Sequence, residues 1–195
     1  MNKSELWEDL LFEISSSKII KLGTREEKVL LGVGNKSSEI MFIGDDPSLY
    51  ENGDGMVKSG SSGDFFFKLC DLVELPAKNI YLTNIVKCNA KLSELDEDEK
   101  EFYMDILNME IALVNPKIIV TLGLESSRFL LKDETLKMKD IRGRIFDWAG
   151  GIKLIPLYDP SFLQRDSNRQ KESPRWLTWQ DMKNIRQLYG EHYEK

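Results

Sequence analysis

The stretch IMFIGDDPS at residues 40–48 decides the fold, because a short apolar run stops there on a glycine, two carboxylates and a proline. Such a run predicts a buried strand, and the carboxyl end of a strand lies at the rim of an α/β sheet, where ligand crevices form. Gly44 is expected to permit a sharp turn, and Pro47 to stiffen it. An ordinary strand-to-loop transition with solvated aspartates is the alternative interpretation.

Length and composition favour one domain. The chain has 195 residues, of which 41% are hydrophobic and 31% are charged, which suits a single α/β domain over residues 1–195. No apolar stretch approaches the roughly 20 residues that span a bilayer, and the first residues show no signal-peptide pattern, so we expect a cytoplasmic protein that does not contact membranes. Cys70 and Cys88 are too few for a disulfide framework or a zinc site, and both are expected to be reduced thiols.

The charged residues limit the chemistry. A net charge of −6 disfavours a protein that coats nucleic acid, although it permits a local basic face. The only histidine is His192, so neither a histidine-based triad nor a histidine metal cluster is expected inside the domain. Acid–base chemistry must therefore use carboxylates, lysines, tyrosines or backbone groups. No long exposed apolar pattern stands out, so we expect a monomer.

Strands and helices alternate along the chain. Four apolar runs predict strands, at residues 40–44, 79–86, 116–123 and 152–157. Helical spacing of apolar residues predicts helices at the amino terminus, between the strands and at the end of the domain. The alternation implies right-handed crossovers, so we predict an α/β three-layer sandwich whose central parallel four-stranded sheet carries helices on both faces.

The carboxyl ends of parallel strands meet at one edge of a sheet, so polar residues that follow the strands should gather there. These residues are Asp45, Asp46, Asn84 and Asp159. Residues 51–63 contain four glycines and predict a long binding loop. The helix after this loop, from Asp64, is expected to offer free backbone amides to an anion.

Three separated segments resemble those of the uracil-DNA glycosylase superfamily, most closely its bacterial and archaeal family four. GDDPS at residues 44–48 is similar to the family's Gly-Glu-Ala-Pro-Gly, and Gly60 falls where its glycine-rich loop closes. Residues 79–88 resemble the strand that supplies the uracil-recognising asparagine, here Asn84. DPS at residues 159–161 takes the place of the family's His-Pro-Ser. The order and spacing match over most of the chain.

The sequence also departs from the family pattern. Lys58 replaces the family's stacking phenylalanine, and Asp159 replaces its catalytic histidine. An aspartate donates a hydrogen bond at neutral pH only if its pKa is raised. Of the four cysteines that hold the family's iron–sulfur cluster only Cys88 is present, and the other positions hold Ser16, Ile19 and Tyr103. One thiolate cannot hold that cluster, so no cofactor is expected.

The resemblance implies a DNA repair enzyme that hydrolyses the N-glycosidic bond of a flipped uracil, or another damaged base, with uracil-containing DNA as its partner. GDDP is also similar to the Gly-Gln-Asp-Pro of family one, whose aspartate activates water, and Asp46 corresponds to that aspartate. The implied catalytic residues are Asp46, Asp45 and Asp159. The implied base-binding residues are Asn84, Lys58, Gly44 and Pro47. The implied DNA-binding residues are Gly60, Ser62 and Ser161. The excess of basic residues in the segment at 163–175 adds Arg165 and Arg169 as candidates.

Two alternatives remain open. A catalytically silent module that binds DNA or a nucleobase is compatible with the loss of the family's histidine and phenylalanine. A metal-dependent hydrolase is the second alternative, because Asp45, Asp46 and Asp159 offer oxygen ligands to a hard cation such as magnesium. For any of the DNA-binding functions, the basic segment at residues 163–175 is expected to contact phosphates.

Overall fold

The computed structural model describes residues 2–17, 31–49, 59–88 and 90–193, and a mixed β-sheet lies at its centre. The strands are β1 (Val33–Gly34), β2 (Ile40–Gly44), β3 (Tyr81–Asn84), β4 (Ile118–Leu122), β5 (Phe146–Asp147) and β6 (Lys153–Leu157). The helices are α1 (Lys3–Ser16), α2 (Ser62–Leu72), α3 (Glu97–Val114), α4 (Leu124–Leu131), α5 (Met138–Ile141), α6 (Pro160–Arg165) and α7 (Pro174–Tyr193).

The middle of the sheet is parallel, as the four apolar runs predict. Strand β2 pairs with β3 on one side and with β4 on the other, and β4 pairs with β6. All residues of β2 are buried, which explains its continuous apolar sequence. The register sets Gly44 opposite both Asn84 and Leu122. The carboxyl ends of the parallel strands therefore share one rim.

The predicted count of four strands is wrong, because two short strands extend the described sheet to six, in the order β1-β3-β2-β4-β6-β5. Strand β1 pairs antiparallel with β3, and β5 pairs antiparallel with β6, each through two residue pairs. A strand of two residues carries no alternation that a sequence pattern can detect. The run at residues 40–44 is thus the second strand along the chain.

Helices cover both faces of the sheet, as predicted, because successive residues of a strand point to opposite faces. Met41 and Ile43 join a core with α1 and α3. Ile40 and Phe42 join a second core with α2 and α7. Trp179 of α7 is 36% exposed and lies outside this core. Among the described helices, none combines the length and hydropathy that crossing a membrane requires.

The position at which the resemblance implies an iron–sulfur cluster is filled by packed side chains. Tyr103 on α3 is 2% exposed, and its hydroxyl lies 3.3 Å from the Cys88 thiol. Ser16 is exposed and donates a hydrogen bond to the Glu13 carbonyl instead. Ile19 lies outside the described residues. The described residues therefore do not fit such a cluster.

We predict that the purified protein is colourless and contains no stoichiometric iron, because a phenol occupies the space beside the one remaining thiol. Iron analysis and a visible absorbance spectrum measure this directly. Adding a chelator should leave the unfolding transition unchanged, since no metal contributes to the folding free energy. Visible absorbance that tracks iron content would contradict the prediction.

Candidate active site

Two consecutive carboxylates leave the end of β2 and form hydrogen bonds on opposite sides of the chain. Asp45 Oδ1 accepts a hydrogen bond from the backbone N–H of Leu92, ahead of α3, at 2.8 Å. Asp46 Oδ2 accepts one from the hydroxyl of Ser62, the first residue of α2, at 3.3 Å. The opposite directions follow from the two-residue period of extended backbone. The two aspartates thus connect the segments before α2 and α3 to the central strand.

Asp45 has an unusual protonation equilibrium. Burial is the largest cause that raises its pKa from 3.8 to about 7. The Leu92 N–H acts in the opposite direction, and the carboxylates of Glu125, Asp159 and Asp46 add to the rise. Asp45 therefore keeps its proton at a pH where a solvated aspartate has lost it, and the protonated carboxyl is able to donate a hydrogen bond.

Asp159 follows β6 and caps α6. Its Oδ1 accepts hydrogen bonds from the Phe162 N–H, at 3.0 Å, and from the Ser161 hydroxyl. Burial raises the pKa of Asp159, although these hydrogen bonds oppose the rise. Gly123, at the start of α4, packs against this side chain: a Cβ at Gly123 would lie 3.3 Å from the Asp159 Cβ, and its φ is +106°. The close approach and the backbone conformation both require glycine there.

The predicted parallel pairing places Asn84 beside Asp45, and its side chain bonds to the next residue, Asp46. Its side-chain Nδ2 donates a hydrogen bond to the Asp46 carbonyl at 2.9 Å. The residue is 2% exposed, and its Oδ1 is buried with no hydrogen-bond partner within the part of the chain that the structure describes. A buried acceptor without a partner is costly and is rare in folded proteins. The Asn84 amide therefore has an acceptor that no described residue satisfies, although Asn84 is not among the residues that line the cavity at this rim.

Gly44 leaves room for this amide. A Cβ at position 44 would lie 2.9 Å from Asn84 Oδ1 and would also clash with the Leu49 side chain. The expectation that Gly44 permits a sharp turn is wrong, because it is the last residue of β2 and the turn starts later, at Pro47. Glycine is required at this position for space.

A cavity of about 460 Å³ opens at this rim. Its lining includes five residues that the sequence singles out: Asp45, Asp46, Asp159, Ser161 and Arg165. It also includes residues that the sequence analysis did not assign to the site, among them Lys91, Ser93, Gly123, Glu125 and Ser126. Of these, Gly123 had a usable signal, since it closes a predicted strand at the same rim. Lys91 and Ser93 come from the segment before α3, and Glu125 and Ser126 come from the first turn of α4. The positions of both segments depend on tertiary packing.

The glycine-rich segment is used partly for internal contacts. The Gly60 N–H donates to Asp64 Oδ2 at 2.8 Å, and the Gly60 carbonyl accepts from Gln164 Nε2 at 2.6 Å. The Asp64 N–H donates to the Ser61 hydroxyl, so the predicted free amides of this helix start are in part already bonded. Helix α2 begins at Ser62, two residues earlier than expected. Lys58 lies outside the described residues.

The arginines of the basic segment at residues 163–175 have different surroundings. Arg165 lines the cavity, and Arg169 is exposed outside the cavity lining. Arg175 has a structural role, because its guanidinium donates to the Leu163 and Gln164 carbonyls at 2.6 and 3.0 Å. The expectation that Arg175 faces DNA phosphates thus has no support in its hydrogen bonds.

The described residues provide no ready metal site. Among residues 2–17, 31–49, 59–88 and 90–193, no three side chains of histidine, cysteine, aspartate or glutamate converge so as to hold a metal ion. Asp45 and Asp159 each bind backbone N–H groups instead. The geometry therefore gives no support to a metal site built from Asp45, Asp46 and Asp159.

The raised pKa of Asp45 predicts a stability profile. Between about pH 4 and pH 7 the folded protein keeps a proton on Asp45 that the unfolded chain has released, so the free energy of unfolding should fall as pH rises, by at most about 1.4 kcal/mol per pH unit. The variant Asp45→Asn keeps an acceptor for the Leu92 N–H but cannot titrate, so its unfolding free energy lacks this dependence on pH. Urea unfolding measures the free energy of unfolding of both proteins. The value for the variant minus the value for the parent should increase up to about pH 7 and stay constant above it. A constant difference across this range would contradict the assignment.

Comparison with known proteins identifies the family. The model of the uracil DNA glycosylase superfamily matches residues 31–183. A type-4 uracil-DNA glycosylase of Thermotoga maritima is 30% identical, and the match covers 85% of this chain and 88% of that protein. One from Saccharolobus solfataricus is 31% identical, with 76% of this chain and 73% of the relative covered. With the α/β fold, the carboxylate rim and these matches together, the chain belongs to the uracil DNA glycosylase superfamily.

Proposed function

We propose that this protein excises uracil, or a similarly damaged base, from DNA by hydrolysing the N-glycosidic bond of a flipped nucleotide. One observation carries the proposal: the Asn84 amide has a buried acceptor without a partner and lies directly beside Asp46. The relatives from Thermotoga and Saccharolobus are named uracil-DNA glycosylases, which supports the same reaction class.

Base recognition follows from the hydrogen-bonding pattern of the amide. Uracil presents an N–H at position 3 and a carbonyl oxygen at position 4, whereas cytosine presents an acceptor and an amino group there. Asn84 Oδ1 accepts from the uracil N–H, and the second N–H of Nδ2 donates to the carbonyl. With cytosine, the acceptor at position 3 would face the acceptor Asn84 Oδ1 and no hydrogen bond would form. The same amide therefore rejects cytosine.

Bond cleavage requires stabilisation of two opposite charges. The bond between C1′ and N1 breaks with its electron pair on the base, which leaves positive charge on the sugar and negative charge on uracil. The Asp46 carboxylate stabilises the sugar cation, orients a water for attack on C1′ and accepts its proton. A protonated Asp45 or Asp159 is suited to donate to the departing base, because burial raises the pKa of both. Lys58 stays a candidate for the same role.

DNA binding is assigned to the rim of the cavity. Ser161 and Arg165 line the cavity next to Asp159, and Arg169 follows in the exposed segment after α6. Gly60 and Ser62 are assigned to a second flank, because the Ser62 hydroxyl bonds to Asp46. Phosphates on either side of a flipped nucleotide would then contact the two flanks of the site.

A catalytically silent binding module is the second candidate, and a specific observation favours it. An aspartate stands where the family has a histidine, and its carboxylate is already bonded to its own helix. Such a module would bind uracil-containing DNA and leave the glycosidic bond intact.

An assay of abasic-site formation separates the candidates. Single- and double-stranded DNA containing one uracil is incubated with the protein, with chelator and with added magnesium. We expect abasic sites only in the uracil strand and equal rates in both conditions. Binding without abasic sites would favour the silent module. Cleavage that requires magnesium would favour a metal-dependent hydrolase.

Asp46→Asn should keep the fold and slow uracil excision by about 10²-fold or more, because the variant cannot accept a proton from water. Single-turnover rates measure the effect. Asp71→Asn, at an exposed position on α2, is the matched control and should cleave at the parent rate. If Asp46→Asn cleaves as fast as the parent, the catalytic assignment is wrong and Asp45 is the next carboxylate to test.

Reversing two charges at the rim should weaken DNA binding. Each phosphate contact releases counterions, so the double variant Arg165→Glu/Arg169→Glu should bind less tightly and lower the slope of log affinity against log salt by about 1.8 for duplex DNA. Lys78→Glu/Lys139→Glu changes the same number of charges at exposed positions outside the cavity. An unchanged salt slope in the arginine variant would place the DNA footprint elsewhere.

A further inference from the structure

A fully buried ion pair lies directly behind the strand that carries Asn84. The side chains of Lys87 and Glu110 are both 0% exposed, and the ammonium contacts the carboxylate. Lys87 Nζ also donates to Thr83 Oγ1 at 2.8 Å and to the Asn84 carbonyl at 2.5 Å. The glutamate carboxylate accepts from the Tyr81 hydroxyl at 2.7 Å and from Thr83 Oγ1 at 3.0 Å.

Stability alone does not account for this pair. Removing two charges from water is costly, and well-packed apolar side chains of similar volume stabilise a fold as well or better. A buried pair fixes geometry, however, because each partner is held by several directional hydrogen bonds. The hydrogen-bond partners of the pair show which part of the molecule it holds in place.

All but one of these bonds go to β3 and to the turn after it, and the remaining one joins the Gly32 N–H, ahead of β1, to Glu110 Oε1 at 3.1 Å. Tyr81 and Thr83 point toward α3, so their hydroxyls bond to Glu110, while Asn84 points to the other face of the sheet. Lys87 reaches back across the turn to the Asn84 carbonyl. The backbone of Asn84 is thus held from one face, and its side-chain amide is held from the other by the Asp46 carbonyl.

We propose that the Lys87–Glu110 ion pair positions the Asn84 amide for base recognition and thereby sets the selectivity for uracil, an inference that rests on the proposed function. Both residues act through Asn84 and contact neither base nor sugar. Fixing the Asn84 carbonyl fixes the peptide from which the amide projects. Without the pair, the Asn84 amide can rotate. Its Oδ1 and Nδ2 are then no longer aligned with the N–H and the carbonyl of uracil.

The test removes both charges together, because Lys87→Met alone would leave an unpaired carboxylate in the core and strongly destabilise the fold. In Lys87→Met/Glu110→Gln the volumes are similar and the glutamine still bonds to the hydroxyls of Tyr81 and Thr83. The control is Arg142→Met/Asp181→Asn, which removes another largely buried ion pair between α5 and α7. Urea unfolding shows how far each variant is destabilised.

Two readouts separate positioning from stability. The order parameter of the Asn84 side-chain amide, from nitrogen-15 relaxation, should fall in the Lys87/Glu110 variant and stay at the parent value in the control. Uracil excision by the folded variant should fall by up to about 10²-fold, with a smaller ratio of uracil to cytosine excision, whereas the control keeps the parent ratio.

The inference is overturned if the Asn84 amide in the Lys87/Glu110 variant is as ordered as in the parent. It is also overturned if an active parent and this variant show the same ratio of uracil to cytosine excision. If the parent excises no uracil, the proposed function fails, and the order parameter alone then decides whether the ion pair positions Asn84.

Discussion

The parallel register between β2 and β3 is the constraint on which the site depends. It sets Gly44 opposite Asn84, so that a residue without a side chain leaves room for a buried amide. The same register places the Asp46 carbonyl within reach of Asn84 Nδ2. A shift of one residue would move the amide to the other face of the sheet and place Thr83 at this position. The site therefore depends on backbone pairing in the sheet more than on any loop.

In the proposed reaction, acid–base chemistry at the rim would use carboxylates, because the only histidine in the sequence is His192. Burial raises the pKa of Asp45 and Asp159, so both can carry a proton at a pH where a solvated aspartate would not. The Asp46 carboxylate accepts a hydrogen bond from the Ser62 hydroxyl, and its backbone carbonyl accepts one from the Asn84 amide. In the proposed reaction this carboxylate would face the sugar of the bound nucleotide. The spread of roles among neighbouring carboxylates follows from their different surroundings.

The sequence predicts the parallel core and the rim because apolar runs and their polar ends are local signals. Strands β1 and β5 escape prediction because two residues show no period. The contact of Asp45 with Leu92 joins residues 47 positions apart and depends on tertiary packing. Glu110 could have been recognised from the sequence, because it is a charged residue on the apolar stripe of α3, next to Ile111. A charge on a buried helix face requires a partner, and Lys87 is that partner.

The central claim is that Asn84 reads the base. The most direct measurement is a crystal structure with DNA that contains a single 2′-fluoro-2′-deoxyuridine, whose fluorine destabilises the sugar cation and so prevents cleavage. The account predicts a flipped uracil with its N3 within about 3.2 Å of Asn84 Oδ1 and its sugar facing Asp46. A uracil that stays stacked in the DNA, or that binds away from Asn84, would contradict it.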